Sequence, residues 1–278
     1  MITTNPFAEL SASISPDIMQ LYVILMALAV VAGVIFDVVH KKSAAYFFEN
    51  AKKAEKNARR TVSSGEKMSL AVSTVTNEVL TSSELSPNPA RRLSHLMTMW
   101  GFIIFVIATV AMIFGAEAGI WATLWHLGAL SLAIGGGWFF FAIRVDVSSE
   151  GKKWYQLSFR GDVFILSLLV MSVFALLWSF SGAGVSGLSL LFFVLFIAAS
   201  TTLFTTVIWS KFAHMFFKPA AAYQKKVTKA DGSQENLPDV GEMSDPAIQS
   251  RYPDIPEYMG TNPPNMGLGI KREKPTHY

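Results

Sequence analysis

Five apolar runs, most of them twenty residues or longer, leave this chain few ways to fold. About 20 apolar residues in a helix cross about 30 Å of hydrocarbon. The first run, Ile18 to Val39, has Asp37 as its only ionisable side chain. Leu96 to Ala116 has none, and Ile120 to Ile143 is interrupted only by His126. From Val163 to Ser210 no charge occurs, which is long enough for two spans. The stretch Ser179–Ser189, with Gly182, Gly184 and Gly187, supplies the turn between them. The expected spans are residues 18–39, 95–116, 120–143, 163–181 and 188–217, in an all-α membrane bundle.

Composition agrees. Of 278 residues 51% are hydrophobic and only 15% charged, against about 25% charge in a typical soluble domain. No Lys or Arg precedes Lys41, so the N-terminus lacks the basic region of a cleavable signal peptide. The basic residues also orient the bundle. The connection 40–94 carries ten of them, the loop 144–162 has Arg144, Lys152, Lys153 and Arg160, and the tail from 218 opens on Lys218, Lys225, Lys226 and Lys229. The segment 1–17, the turn near Glu117 and the glycine turn carry none. By the positive-inside rule the N-terminus is periplasmic and the C-terminus cytoplasmic, in a bacterial inner membrane.

Within 40–94, Ala44, Phe47, Phe48, Ala51 and Ala58 recur near helical spacing, opposite Lys52, Lys53, Lys56 and Arg59. This pattern predicts an amphipathic helix, suited to an anionic lipid surface or to a docking partner. A second helical pattern, Met68 to Val79, follows and runs to Pro87 and Pro89. The tail 218–278 holds most of the prolines, among which Tyr223, Tyr252 and Tyr258 are interspersed. It is expected to be an irregular arm that orders against a partner.

With no cysteine, the chain cannot ligate an iron–sulfur cluster of its own, so histidine is its route to a redox group. His95 and His214 sit where apolar runs meet a basic flank, the placement of haem ligands in membrane cytochromes b. Arg91, Arg92, Lys211 and Lys218 flank them and suit haem propionates. At about 1.5 Å per residue, His95 is roughly 30 Å and His214 roughly 39 Å from the outer helix ends. On depth alone His40 matches His95 as well as His214 does, and the pair stays open. His126, beside Trp121 and Trp125 at the outer end, reads as an interfacial histidine or as a lining of a quinone pocket. His277 reads as a solvated tail residue.

Two segments carry a resemblance. Arg91-Arg92-Leu93-Ser94-His95 and Lys211-Phe212-Ala213-His214-Met215-Phe216 resemble the nitrate reductase gamma-like cytochrome b fold, which has five helices and haem ligands on the second and fifth. Asn5 to Leu10, His40 to Ala51 and the proline-rich tail resemble more closely the membrane-anchor subunits of adenylylsulfate reductase in sulfur-oxidising bacteria. The resemblance implies haem b on His95 and His214. It also implies a cytoplasmic adenylylsulfate reductase with flavin and iron–sulfur subunits as partner, and quinone as electron acceptor. Two-haem members carry a deeper histidine in each ligating helix. Residues 102–109 and 192–196 contain none, so one haem is expected. The competing reading is a structural membrane anchor without haem or redox activity. A small transporter finds little support, because Asp37 is the only acid within the spans.

Overall fold

Each apolar run becomes a helix, and what sets its ends is local. The computed structural model describes residues 2–40, 45–86, 88–116, 119–144, 153, 155–210, 214–233 and 246–251. The side chains of Tyr46, Phe47, Phe48, His214, Phe216, Ile248, Gln249 and Arg251 lie outside that description. In chain order the α-helices are α1 (Pro6–Leu10), α2 (Pro16–Val39), α3 (Ala45–Lys56), α4 (Ser64–Ser73), α5 (Pro89–Ile113), α6 (Ile120–Trp138), α7 (Phe159–Phe180), α8 (Gly187–Thr205), α9 (His214–Ala230) and α10 (Pro246–Arg251). Helix α4 runs on as a π-helical stretch, Thr74–Leu80, and α6 ends in another, Phe139–Ile143. Five helices, α2 and α5 to α8, are long and apolar enough to cross a membrane.

Several ends differ from the sequence expectation for identifiable reasons. Helix α5 starts at Pro89, not at residue 95, because the Asn88 side chain accepts the Arg91 N–H at 3.1 Å. A proline in the first turn has no N–H to waste. This puts Arg91, Arg92 and His95 on the helix. Helix α7 starts at Phe159, four residues before the expected 163, with Asp162 accepting the Ser158 N–H at 2.7 Å. Asp162 also meets Arg144 at 2.8 Å, and both side chains are about nine-tenths buried. The fifth span was expected to run from 188 to 217. Helix α8 instead ends at Thr205, and residues 206–210 turn. The expected irregular tail 218–278 begins inside a helix, since α9 continues through Pro219 to Ala230.

Helices α5 and α6 are the closest pair. A Cβ added at Gly128 would lie 2.8 Å from Phe105 N, and one at Gly135 would lie 2.9 Å from Ser94 O and from Thr98 N. The backbones therefore approach closely because these positions are glycine. Ser94 Oγ donates to Gly135 O and Ser131 Oγ to Met97 O, each at 2.9 Å. Helix α7 packs on α6 and α8 on α7. Helix α2 lies at the edge, against α8 and α5; Tyr22 meets Thr201 Oγ1 at 3.0 Å. Most of its length faces outward.

The two ends of the bundle differ in chemistry. At the end bearing the turns without Lys or Arg, α1 sets Phe7 against Trp125 and Trp178. At the end bearing the basic connections, α3, α4 and α9 gather. Arg59 and Arg60 both donate backbone N–H to Asp231 O, at 2.9 and 3.2 Å, and Arg60 Nε reaches Ala230 O at 2.6 Å. The connection and the start of the tail are thus stitched to each other, and α3 packs on α9.

Candidate functional site

The basic end holds the site that the sequence points to. A segment crossing the flank of α5, residues 80–85, is fastened by three side chains of that helix. Trp100 Nε1 donates to Leu80 O at 3.2 Å, and Arg92 Nε donates to Thr81 O at 3.0 Å. His95 Nδ1 meets Ser82 Oγ at 3.1 Å. Ser82 is 1% exposed and takes a left-handed backbone, φ 47°, which a non-glycine residue adopts only when its surroundings require it. From the other side, Lys218 of α9 pairs with Glu84 in the same segment, and Lys226 meets Glu78 at 3.4 Å. One strap therefore joins the first turns of α5 to α9.

His95 is half-buried. Phe102, seven residues on, shares its helix face and lies 6.3 Å, ring to ring, from Phe204 near the end of α8. The face of α5 that meets α6 is instead that of Ser94, Gly101, Phe105 and Ala108, closed by backbone contact. The α6 side of α5 is therefore closed by backbone contact, and His95 lies off that face.

The remaining sequence candidates fall in several places. His214 is the first residue of α9 and not part of the fifth span, so the two expected ligands are not on the second and fifth spanning helices. Its side chain lies outside the described residues, as does all of Lys211. Arg91 and Arg92 are half-buried on the first turns of α5. Lys218 is tied to Glu84. His40 is exposed and stacks on Phe36, with ring centroids 4.6 Å apart. His277 is outside the described residues. Among the described residues no cluster of three or more His, Asp or Glu is arranged to hold a metal ion.

His126 is a core residue, 4% exposed, and Trp125 beside it is fully buried rather than a belt tryptophan. Nδ1 lies 2.7 Å from Ala122 O and must donate to it. Nε2 therefore accepts from Ser179 Oγ at 2.8 Å, linking α6 to α7. Both ring nitrogens are engaged within the bundle.

Ser82 is the residue that sequence reasoning missed. It stands in Thr81-Ser82-Ser83, where nothing marks one hydroxyl over its neighbours; only the fold brings it to His95. Compared with models of known protein families, with curated proteins and with solved structures, the chain matches none.

Proposed function

We propose that this chain is a membrane anchor and electron-transfer subunit that links a cytoplasmic adenylylsulfate reductase to the quinone pool. In this reading the basic end faces the cytoplasm, where the soluble flavin and iron–sulfur subunits dock on the α3, α4 and α9 cluster and on the tail. One haem b would be held by His95 and His214, with the cations Arg91, Arg92 and Lys211 of the same sequence flanks available to its propionates. The haem supplies reversible one-electron carriage between the soluble enzyme and quinone.

The observation that carries the reading is the Ser82–His95 contact. Metal-ligating histidines characteristically give one ring nitrogen to a neighbouring acceptor, which fixes the ring's tautomer and orientation for the other. With Nδ1 held by Ser82, Nε2 is the nitrogen an iron would take. The strap that orients His95 also grips α9, the helix that begins at His214.

A second reading, a structural anchor without redox function, draws support from the break at residues 206–210, which separates His214 from the fifth span. Proteoliposomes containing the protein distinguish the two. Supplied with the soluble reductase, sulfite and AMP, they should reduce added decylubiquinone. Reductase that binds the vesicles without quinone reduction selects the structural anchor, and reductase that does not bind removes both. Deleting residues 234–278 keeps the Asp231 contacts and, on the proposed reading, releases the reductase from the vesicles.

A further inference from the structure

Helices α7 and α8 part at their basic halves around a groove of about 490 Å³. Its walls are apolar, with Val163 and Val170 on α7 facing Leu195 and Ala199 on α8. The gap exists because α8 presents Ala198, Ala199 and Thr202 at successive turns, where no side chain is long enough to reach α7. The volume lies within the range of small-molecule sites, about 300–1,000 Å³. Phe159, 72% exposed at the rim, and exposed Ala198 leave the groove open to the surface that lipid would cover.

One polar group breaks the apolar lining from within. Ser167 is 6% exposed, lines the groove and makes no hydrogen bond among the described residues. Hydroxyls on the neighbouring helix behave differently. Ser200, Thr201 and Thr202 each donate to the carbonyl four residues earlier at 2.8 Å, which is how a hydroxyl in a spanning helix is ordinarily satisfied. Ser167 keeps its donor for the groove. It lies eight residues into α7, about 12 Å along the helix axis. Measured from Asp162, the last charge, it is five residues, or about 7 Å, into the apolar run. An acyl chain would fill the volume and leave the hydroxyl without a partner.

We propose that this groove binds the ring of a lipid-soluble quinone, with the Ser167 hydroxyl donating to a ring carbonyl and the tail leaving between α7 and α8 into the lipid. The inference rests on the electron-transfer reading above for its choice of ligand and gives that reading an acceptor site. The binding itself needs neither haem nor the soluble enzyme, so it is measured on the full chain alone, in phosphatidylcholine nanodiscs.

An azido-quinone should photolabel peptides from residues 159–170 or 195–202, and excess decylubiquinone should compete the label away. Replacing Ser167 with Ala should weaken decylubiquinone binding about fivefold, the usual weight of one neutral hydrogen bond. Ala198→Leu, a change at an exposed rim position, should abolish labelling. Labelling confined to other helices, or label not displaced by decylubiquinone, overturns the site. So does wild-type affinity in both variants. Failure here with quinone reduction still intact in the proteoliposomes moves the acceptor site elsewhere. Labelling here without such reduction retains the site and removes the electron-transfer reading.

Discussion

The two ends of this bundle are built from different materials. At the end whose turns lack Lys and Arg, Phe7 meets Trp125 edge-on at 5.8 Å and Trp178 at 5.7 Å, and both tryptophans are fully buried. Trp178 stacks on Phe196 at 5.9 Å, so the seal continues into the bundle. At the basic end, order comes from directional contacts: Ser82 with His95, Arg92 with Thr81 O, Glu84 with Lys218, Asp162 with Arg144. Dense aromatic packing has no second arrangement of similar energy. Exposed pairs such as Lys218 with Glu84 exchange at small cost, whereas the buried Arg144–Asp162 pair is costly to break; regions that bind and release partners are drawn from the exchangeable kind. On the proposed reading, the aromatic end supplies stability and the basic end the docking and redox site.

Mutations that damage the packed parts should have the largest effect. Trp178→Ala removes the hub of the aromatic seal and should cost about 4 kcal/mol, the range for emptying an aromatic core position. It should show as a fall in Tm of the detergent-solubilised protein, with His95 undisturbed in the fraction that folds. Gly128→Val forces a side chain against the α5 backbone, and overpacking of this kind costs about 2–3 kcal/mol. A Tm equal to wild type would mean that α5 and α6 are not in backbone contact.

At the basic end the expected effects are smaller and of another kind. Ser82→Ala should cost about 1 kcal/mol, the weight of one hydrogen bond. Its diagnostic consequence lies at His95, whose ring loses its orienting partner. NMR of ring-labelled histidine should then report a changed tautomer population at that residue, and an unchanged one removes Ser82 from the site. Smallest of all is the exposed pair Arg60–Glu66, with contacts of 3.0 and 2.5 Å. The hydrogen bond from Arg60, followed by its charge, holds the Glu66 carboxyl below its ordinary 4.5. A carboxyl depressed in the folded state stabilises above its unfolded value and loses that contribution as pH falls through its folded one. Glu66→Gln should therefore leave Tm at pH 7 nearly unchanged, as exposed pairs do, and flatten only the acid limb below about pH 4.5.

The spans were legible because length and apolarity alone define them. What defeated the reading was chemistry acting at their ends. Pro87 and Pro89 look like breakers, yet Pro89 opens α5 under the Asn88 cap. The apolar run of the last span continues past Thr206 through Ile208 and Trp209, so nothing in its hydropathy marks the end of α8. A hydroxyl on every turn there bonds back to the helix, Thr205 to Thr201 O and Thr206 to Thr202 O. Pro219 hid α9, although Ala220 to Val227 are good helix formers and carry a charged face. Of the site, His95 was visible from its basic flank. Its partner Ser82 was not, because the contact depends on a left-handed turn 13 residues away. His126 was read beside belt tryptophans because sequence gives position along a helix but not which neighbour covers it.

If the basic end holds a haem through His95, as proposed, an absorption spectrum shows it. Protein purified from haem-replete cells should give a b-type spectrum on dithionite reduction, with one haem per chain by pyridine haemochrome. His95→Ala should fold, keep the Tm set by the aromatic end, and lose that spectrum. A wild-type preparation that is folded yet colourless rules out the haem, and a His95→Ala protein with its haem intact rules out His95 as its ligand.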